Sequence, residues 1–379
     1  MDFSLTSEQK EYKKEIVKFA RNKLNNPEYA DVFSTAMWRE IADFGLLGLT
    51  VGEEYGGMGE SYTTAAVAFE ALGYGCKNNG LTFVVNNHIW VSQNLIYLYG
   101  SDRLKDKYIP AMVTGRKIGA MAITEAEYGS DAMGMSSYAL EREDGFLLNG
   151  SKMFISNGPI ADVFVVFAVT KNDAAKKITA FVVEKEYVGV SVSPDIEKMG
   201  LNACPTSELI LSNVFVPKEN VLGKIDNGGN ILTQAIEWER CFEFVPHIGA
   251  MQRVMEECLA YVNARKQFGK KIREYQAVSH KIADMQVGIE LSRQLMYKIT
   301  YLKDKKRCAY METSIFKLFV SERYIKTCTD AMQIFGAYGY TKEYGLEREV
   351  RDALACSIYS GTNEIQKNTI FNILNTRYS

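Results

Sequence analysis

The spacing of apolar positions divides the chain into three textures. Near the start, Tyr12, Ile16, Val17, Phe19 and Ala20 recur at the spacing of one helical face, and Thr6-x-x-Gln9 ahead of them fits a capping box. Trp38, Ile41, Ala42, Phe44 and Leu46 form a second amphipathic stretch, which stops at Gly48 before the Gly-rich loop Glu53-Glu54-Tyr55-Gly56-Gly57. More apolar segments of helical length fill residues 62–116. From about residue 118 the runs shorten and become rich in β-branched and aromatic residues: Phe146-Leu147-Leu148, Met153-Phe154-Ile155, 163–167, 178–183, 188–192 and 209–216. Asp144-Gly145 and Asn149-Gly150 read as hairpin turns among them. Short strands at such close spacing predict a small β-barrel or sandwich. After Gly228-Gly229 helical spacing returns, and 231–263, 274–303 and 309–335 would pack as a bundle. The chain thus reads as α+β: an N-terminal helical domain over 1–117, a central β-barrel over 118–225 and a four-helix-type domain over 226–379.

Composition narrows the functional classes. With 47% hydrophobic and 24% charged residues, the 379-residue chain is of ordinary globular make-up. A net charge of -2 gives no electrostatic case for nucleic acid or an anionic membrane as partner. No apolar run has bilayer length, and Met1-Asp2-Phe3-Ser4 does not open a secretory leader, so a cytoplasmic location is expected. The seven cysteines are scattered with no CxxC, as suits reduced, buried thiols. No His/Cys cluster has metal-ligand spacing, so no metal is expected, and His88, His247 and His280 suggest packing rather than a triad. Neither G-x-G-x-x-G after a strand nor G-x-x-x-x-G-K-[ST] is present, which leaves a Rossmann site and a P-loop without support.

Four segments carry the chemistry, in order along the chain. They are Ile123-Thr124-Glu125-Ala126-Glu127-Tyr128-Gly129-Ser130-Asp131, Lys152-Met153-Phe154-Ile155-Ser156-Asn157-Gly158, Ala264-Arg265-Lys266-Gln267-Phe268-Gly269, and Asp330-Ala331-Met332-Gln333-Ile334-Phe335-Gly336 with Ile358-Tyr359-Ser360-Gly361-Thr362-Asn363-Glu364-Ile365-Gln366. Together they resemble the acyl-CoA dehydrogenase superfamily over nearly the whole length. Singly, Phe154 and Phe268 would be core residues, Arg265 part of a solvated basic face and Gly361-Thr362 a plain turn. Their joint occurrence favours function. The resemblance implies two helical domains around a β-barrel, FAD in the crevice and a homo-oligomer, usually a tetramer. It implies that Thr124, Gly129 and Ser130 face the flavin, that Phe154 and Ile155 line it and that the Ser156 hydroxyl donates to it. Arg265 and Phe268 would reach a neighbouring subunit's FAD, helped by Gln333 and Gly336, while Thr362 and Glu364 would meet the adenosine side. Ser130, Arg240 and Ser360 would contact the substrate.

In this chemistry a carboxylate takes the proton next to a thioester carbonyl while hydride leaves the β-carbon for the flavin. Many members carry that carboxylate just before the last Gly-Thr, where this chain has Ser360, too weak a base unaided. Others, isovaleryl-CoA dehydrogenase among them, place it just before an Arg early in the C-terminal domain, which here makes Glu239 the catalytic residue. Glu243, four residues on, shares its helical face and is the reserve. Trp238-Glu239, Ser360-Gly361-Thr362-Asn363 and Pro159-Ile160-Ala161-Asp162-Val163-Phe164 resemble enzymes acting on aminoacyl groups tethered to carrier proteins, such as the prolyl-carrier-protein dehydrogenases and oxidases. The resemblance then implies a substrate on an acyl or peptidyl carrier protein, in natural-product biosynthesis. A metabolic enzyme for a short or branched acyl-CoA and a catalytically silent flavin scaffold stay open beside it, as do electron-transfer flavoprotein and oxygen as acceptors.

Overall fold

A computed structural model of the chain describes residues 4–172 and 176–378, so the leader reading on Met1-Asp2-Phe3 lies outside the described residues. The Thr6 capping box forms: Thr6 Oγ1 accepts from the Gln9 amide and Gln9 Oε1 from the Thr6 amide, each at 3.1 Å. It opens α1 (Ser7–Lys23), which buries Ile16 and Ala20. There follow α2 (Thr35–Asp43), α3 (Tyr62–Gly75), α4 (Asn79–His88), a π-helical turn Ile89–Gln93, α5 (Asn94–Tyr99) and α6 (Asp102–Val113).

The middle of the chain builds one mixed sheet from β1 (Gly119–Ala122), β2 (Tyr138–Glu141), β3 (Gly145–Ser156), β4 (Val163–Asn172), β5 (Lys176–Glu184), β6 (Val190–Val192), β7 (Thr206–Pro217) and β8 (Val221–Leu222). The order is β6-β7-β3-β2-β4-β5-β8, with β1 parallel to β4. Two expectations need correction here. Among the described residues β6 and β8 do not pair, so the sheet stays open where a closed β-barrel was expected. These two end strands are 3 and 2 residues long, too short to form a closing ladder. Asn149-Gly150, read as a hairpin turn, lies inside β3, whose two halves both pair with β7. Gly150 sits at a bulge with φ +132, and a Cβ there would stand 2.4 Å from Ser137 Oγ. Asp144-Gly145 does turn β2 into β3, with the Arg142 amide donating to the Gly145 carbonyl at 2.8 Å.

The C-terminal part holds α7 (Gly228–Phe242), α8 (Val245–Ala264), a small hairpin of β9 (Lys266–Gln267) and β10 (Lys270–Lys271), α9 (Gln276–Asp304), α10 (Tyr310–Phe335), α11 (Ala337–Tyr340), α12 (Leu346–Ala355) and α13 (Asn363–Tyr378). The apolar stretch 231–263 is two helices, not one, because Pro246 cannot donate to a carbonyl of a continuous helix and instead sits in the first turn of α8. The two helical regions share one apolar core, in which Trp90 of the π-helical turn stacks on Phe242 of α7 with ring centroids 3.6 Å apart. That packing fixes α7 against the N-terminal helices and so fixes where Glu239 stands. Six cysteines are buried, but Cys308 is exposed in the turn between α9 and α10, contrary to the reading of each as a buried thiol. Among the described residues no helix is long and apolar enough to cross a membrane.

Candidate active site

A cleft of about 450 Å³ opens where the sheet meets α4, α7 and the loop before α13. Its walls include Thr124, Gly129, Ser130, Phe154, Ile155 and Ser156 from the sheet side. Glu239, Arg240, Ser360 and Thr362 line it from the helical side. A larger hollow of about 910 Å³ between α1, α3, α8 and α9 gathers lysines but none of the motif residues.

Backbone strain shapes the sheet wall. Between Lys152 and Ile155 the register of β3 against β7 slips, and Phe154 takes φ 59, uncommon for an aromatic. The slip turns the ring outward, where it is 63% exposed and lines the cleft. Ser156 closes β3, and the buried Asn157 after it donates to the carbonyls of Val84 (3.0 Å) and Gly119 (3.3 Å). These bonds tie the end of β3 to α4 and β1 and hold the Ser156 hydroxyl at the cleft.

The Thr124–Ser130 loop is anchored by a pair that sequence reasoning did not single out. Lys152, fully buried, donates to Glu125 Oε1 at 2.8 Å and to the Ile123 carbonyl at 3.1 Å. Glu125 also accepts from Ser136 Oγ (2.6 Å) and the amides of Ser136 (2.7 Å) and Ser137 (2.9 Å). Burial alone would push this carboxyl up, but the bonds from Lys152, Ser136 and Ser137 outweigh it and bring it down to about 2. Its stabilisation is therefore complete above the ordinary carboxylate value of 4.5 and is lost as pH falls through about 2. Lys152→Met is expected to lower the unfolding free energy by about 3–5 kcal/mol in urea titrations, because it strands a buried carboxylate. The double variant Lys152→Met, Glu125→Leu should recover much of that loss. A single variant as stable as the parent would remove the anchoring role. The spacing of the two residues gave no signal for the pair, since they meet only across β3.

On the helical side, Glu239 accepts from Ser360 Oγ at 3.0 Å. Ser360 is held in place by its backbone, with φ 58, and by two donors to its carbonyl: Arg240 Nε at 3.2 Å and Gln366 Nε2 at 3.1 Å. Arg240 Nη1 donates to Ser314 Oγ at 3.1 Å, and the guanidinium sits 5.2 Å over the Tyr310 ring. Arg240 lines the cleft and also ties the Ser360 turn to α10 through Ser314. Burial raises the Glu239 carboxyl above its ordinary range, while the Ser360 bond and the charges of Arg240 and Lys317 draw it back. Glu237, two residues earlier, is engaged elsewhere: it accepts from Lys303 Nζ at 2.5 Å and from the Ala309 amide at 2.7 Å. Glu243 is buried, and neither of its carboxyl oxygens has a hydrogen-bond partner among the described residues.

The remaining sequence-derived residues lie apart from the centre. Glu364 is exposed in the first turn of α13, two residues beyond Thr362 at the cleft wall. Arg265, Phe268, Gln333 and Gly336 do not line this chain's cleft. They sit around the β9–β10 hairpin and the end of α10, where Arg265 lies 5.9 Å over Tyr338 and Phe268 is 93% exposed.

Models of the acyl-CoA dehydrogenase N-terminal, middle and C-terminal domains match residues 6–116, 120–214 and 226–374. An L-prolyl-[peptidyl-carrier protein] dehydrogenase from Serratia sp. is 35% identical over 100% of this chain and 99% of its own length. The chain belongs to the acyl-CoA dehydrogenase family. Within that family it is also 35% identical to a short-chain specific acyl-CoA dehydrogenase of Clostridium acetobutylicum, over 97% of this chain and 98% of that one. Among solved structures, the prolyl acyl carrier protein oxidase AnaB superposes with a TM-score of 0.96 at 36% identity, covering 98% of this chain and 100% of the other. The structure of PigA with FAD and proline does so with 0.96 at 34%, covering 100% of both.

Proposed function

We propose that the protein is an FAD-dependent dehydrogenase or oxidase that introduces an α,β double bond into an acyl or aminoacyl thioester carried on an acyl or peptidyl carrier protein, in natural-product biosynthesis. The observation that carries this reading is Glu239: a desolvated carboxylate, bonded by Ser360, on the cleft wall across from Phe154 and Ser156. The names of AnaB and of the Serratia relative support a carrier-bound prolyl group as substrate, and the PigA complex supports FAD.

The residues present fit the cofactor. Phe154 offers an exposed aromatic face, the Thr124 and Ser156 hydroxyls line the same wall, and Gly129 has open space where a Cβ would point. These would hold the flavin ring, with Ile155 behind it and Ser130 at its edge. Bound FAD supplies the acceptor for the two electrons and the hydrogen that leave the β-carbon. Glu239 takes the α-proton onto a carboxylate oxygen, and its desolvation raises its basicity. The Ser360 hydroxyl holds the carboxylate in one rotamer, and Arg240 holds Ser360.

Arg265, Phe268, Gln333 and Gly336 are read as reaching a neighbouring subunit's FAD, with Thr362 and Glu364 towards its adenosine end, in a cytoplasmic homotetramer. The test is anaerobic bleaching of the bound flavin by one acyl group offered on a carrier protein and on CoA. The carrier-bound prolyl thioester is expected to bleach it faster. Preference for the CoA ester would make the chain a metabolic acyl-CoA dehydrogenase, a reading the Clostridium relative supports. No bleaching by any thioester would make it a flavin-binding scaffold. Admitting air, or an electron-transfer flavoprotein, to the reduced protein identifies the acceptor.

A further inference from the structure

Glu243 is a buried carboxyl with no partner. At 100° per residue, Ile236, Glu239 and Arg240 of α7 and Glu243, the helical-backbone residue that caps it, fall within an arc of about 100°, so they share one face. The first three line the cleft. Glu243 is only 1% exposed, and no donor reaches either carboxyl oxygen. Proteins rarely keep such a group without a use, because a buried polar atom left unbonded is destabilising. The groups facing it supply no positive charge: Glu239 on its own helix, Tyr359 from the loop before α13 and Cys204 from the loop before β7. Arg240 and Lys317 face Glu239 instead. Burial and the nearby Glu239 push the Glu243 carboxyl well above its ordinary range, which favours its protonated form.

Asn87 lines the same cleft from α4. Its Nδ2 donates to the Phe83 carbonyl at 3.0 Å, which leaves Oδ1 as an acceptor without a donor among the described residues. The cleft thus presents acceptors at Glu239 and the Asn87 amide oxygen, with Glu243 one turn along the same helix face, buried and outside the cleft lining. An alkyl group would leave the Asn87 and Glu243 oxygens unsatisfied, whereas a group carrying N–H would bond them. Residues four apart on a helix have Cβ atoms roughly 6 Å apart, so an amine on the carbon that Glu239 deprotonates falls within a side chain's reach of Glu243.

We infer that Glu243 is the counter-charge for an amine on the acyl group, and that it sets the cleft's preference for aminoacyl thioesters over their all-carbon counterparts. The inference rests on the thioester-dehydrogenase reading above and names the substrate class within it. When the amine enters neutral, the Glu243 O–H bond breaks, an N–H bond forms, and carboxylate and ammonium remain as a pair. When it enters as ammonium, the Glu243 proton leaves to solvent. In either case the α-proton still goes to Glu239.

The experiment compares two thioesters on the same carrier protein, prolyl and cyclopentanecarbonyl, which differ only by NH against CH₂ in the ring. Flavin bleaching is followed over a range of concentrations in the FAD-bound parent, in Glu243→Gln and in Glu243→Leu. The parent is expected to favour the prolyl thioester by roughly 10–100-fold in kcat/KM, the range of one charge-assisted bond. Both variants should bring that ratio to within about threefold, through KM for the prolyl substrate, with a much smaller effect on the cyclopentanecarbonyl reaction. Two substitutions of different polarity, each checked for flavin absorbance, separate this from misfolding. A ratio that survives in both variants, or equal losses on both thioesters, overturns the inference and leaves the dehydrogenase intact. If the parent is bleached by neither thioester, the dehydrogenase reading itself falls and takes the inference with it.

Discussion

Glu239→Gln is expected to leave FAD bound and to slow substrate-driven flavin reduction by roughly 10²–10⁴-fold, the range for loss of one positioned general base. The amide has the shape of the carboxylate and can still accept from Ser360 Oγ, so the turn around Ser360 and the cleft wall should persist. It cannot take a proton, and the neighbouring carboxyls do not replace it. Glu237 is held by Lys303 and the Ala309 amide, so Glu237→Gln should act on stability. Glu243 is buried outside the cleft lining, and burial and Glu239 push its carboxyl well above its ordinary range. The pH profile gives a second reading of the same assignment. Because burial raises the Glu239 carboxyl, the reduction rate should climb with pH through a value above 4.5. Ser360→Ala removes a bond that favours the ionised form, so the climb should move to higher pH while the plateau falls far less than in Glu239→Gln. Single-turnover stopped flow across pH decides. Parental reduction in Glu239→Gln together with a collapse in Glu243→Gln or Ser360→Ala would move the base elsewhere.

The sequence made the local parts of this molecule legible. Thr6 and Gln9 are three residues apart, so their capping box follows from helix geometry alone, and the apolar face with Ile16 and Ala20 follows from the period. The order of the four motifs carried the family and most of the cleft wall. What escaped depends on contacts distant in the chain. Asn149-Gly150 has hairpin chemistry, but pairing with β7 on both sides of it turns the same two residues into a bulge. Val163 to Glu184 reads as a barrel fragment, yet closure depends on end strands that are too short to pair. Glu239 and Ser360 are 121 positions apart, and Glu125 and Lys152 are 27 apart. Each pair exists because two separate elements are pinned by other packing, α7 by the Trp90–Phe242 stack and β3 by Asn157. Serine in place of the usual carboxylate before Gly361 was visible in sequence, but its bond to Glu239 was not.

Arg265→Ala is expected to strip the protein of FAD, raising the dissociation constant by roughly 10–100-fold as charge-assisted bonds to a pyrophosphate are lost. A side chain such as Phe268, 93% exposed at the tip of the β9–β10 hairpin with φ 50, is a poor surface residue unless something covers it. Arg265 at the foot of the same hairpin is exposed and, among the described residues, bonded to no carboxylate, its guanidinium resting near the Tyr338 ring. Gln333 and Gly336 at the end of α10 are exposed as well. A donor fork, an aromatic and an amide gathered on one surface, none of them lining this chain's cleft, suit the far half of a dinucleotide held by a second subunit. If each site is shared in this way, cofactor retention and assembly rise and fall together. Dilution or mild salt that separates subunits should release FAD from the parent protein, and Arg265→Ala should lose FAD while still eluting as the parental oligomer. On that reading Phe268→Ala should weaken both, because assembly would bury its ring. Size-exclusion chromatography with absorbance at a flavin wavelength measures the two quantities at once. A monomer that elutes with one FAD per chain would show the site to be complete in one subunit and would remove the shared-site reading.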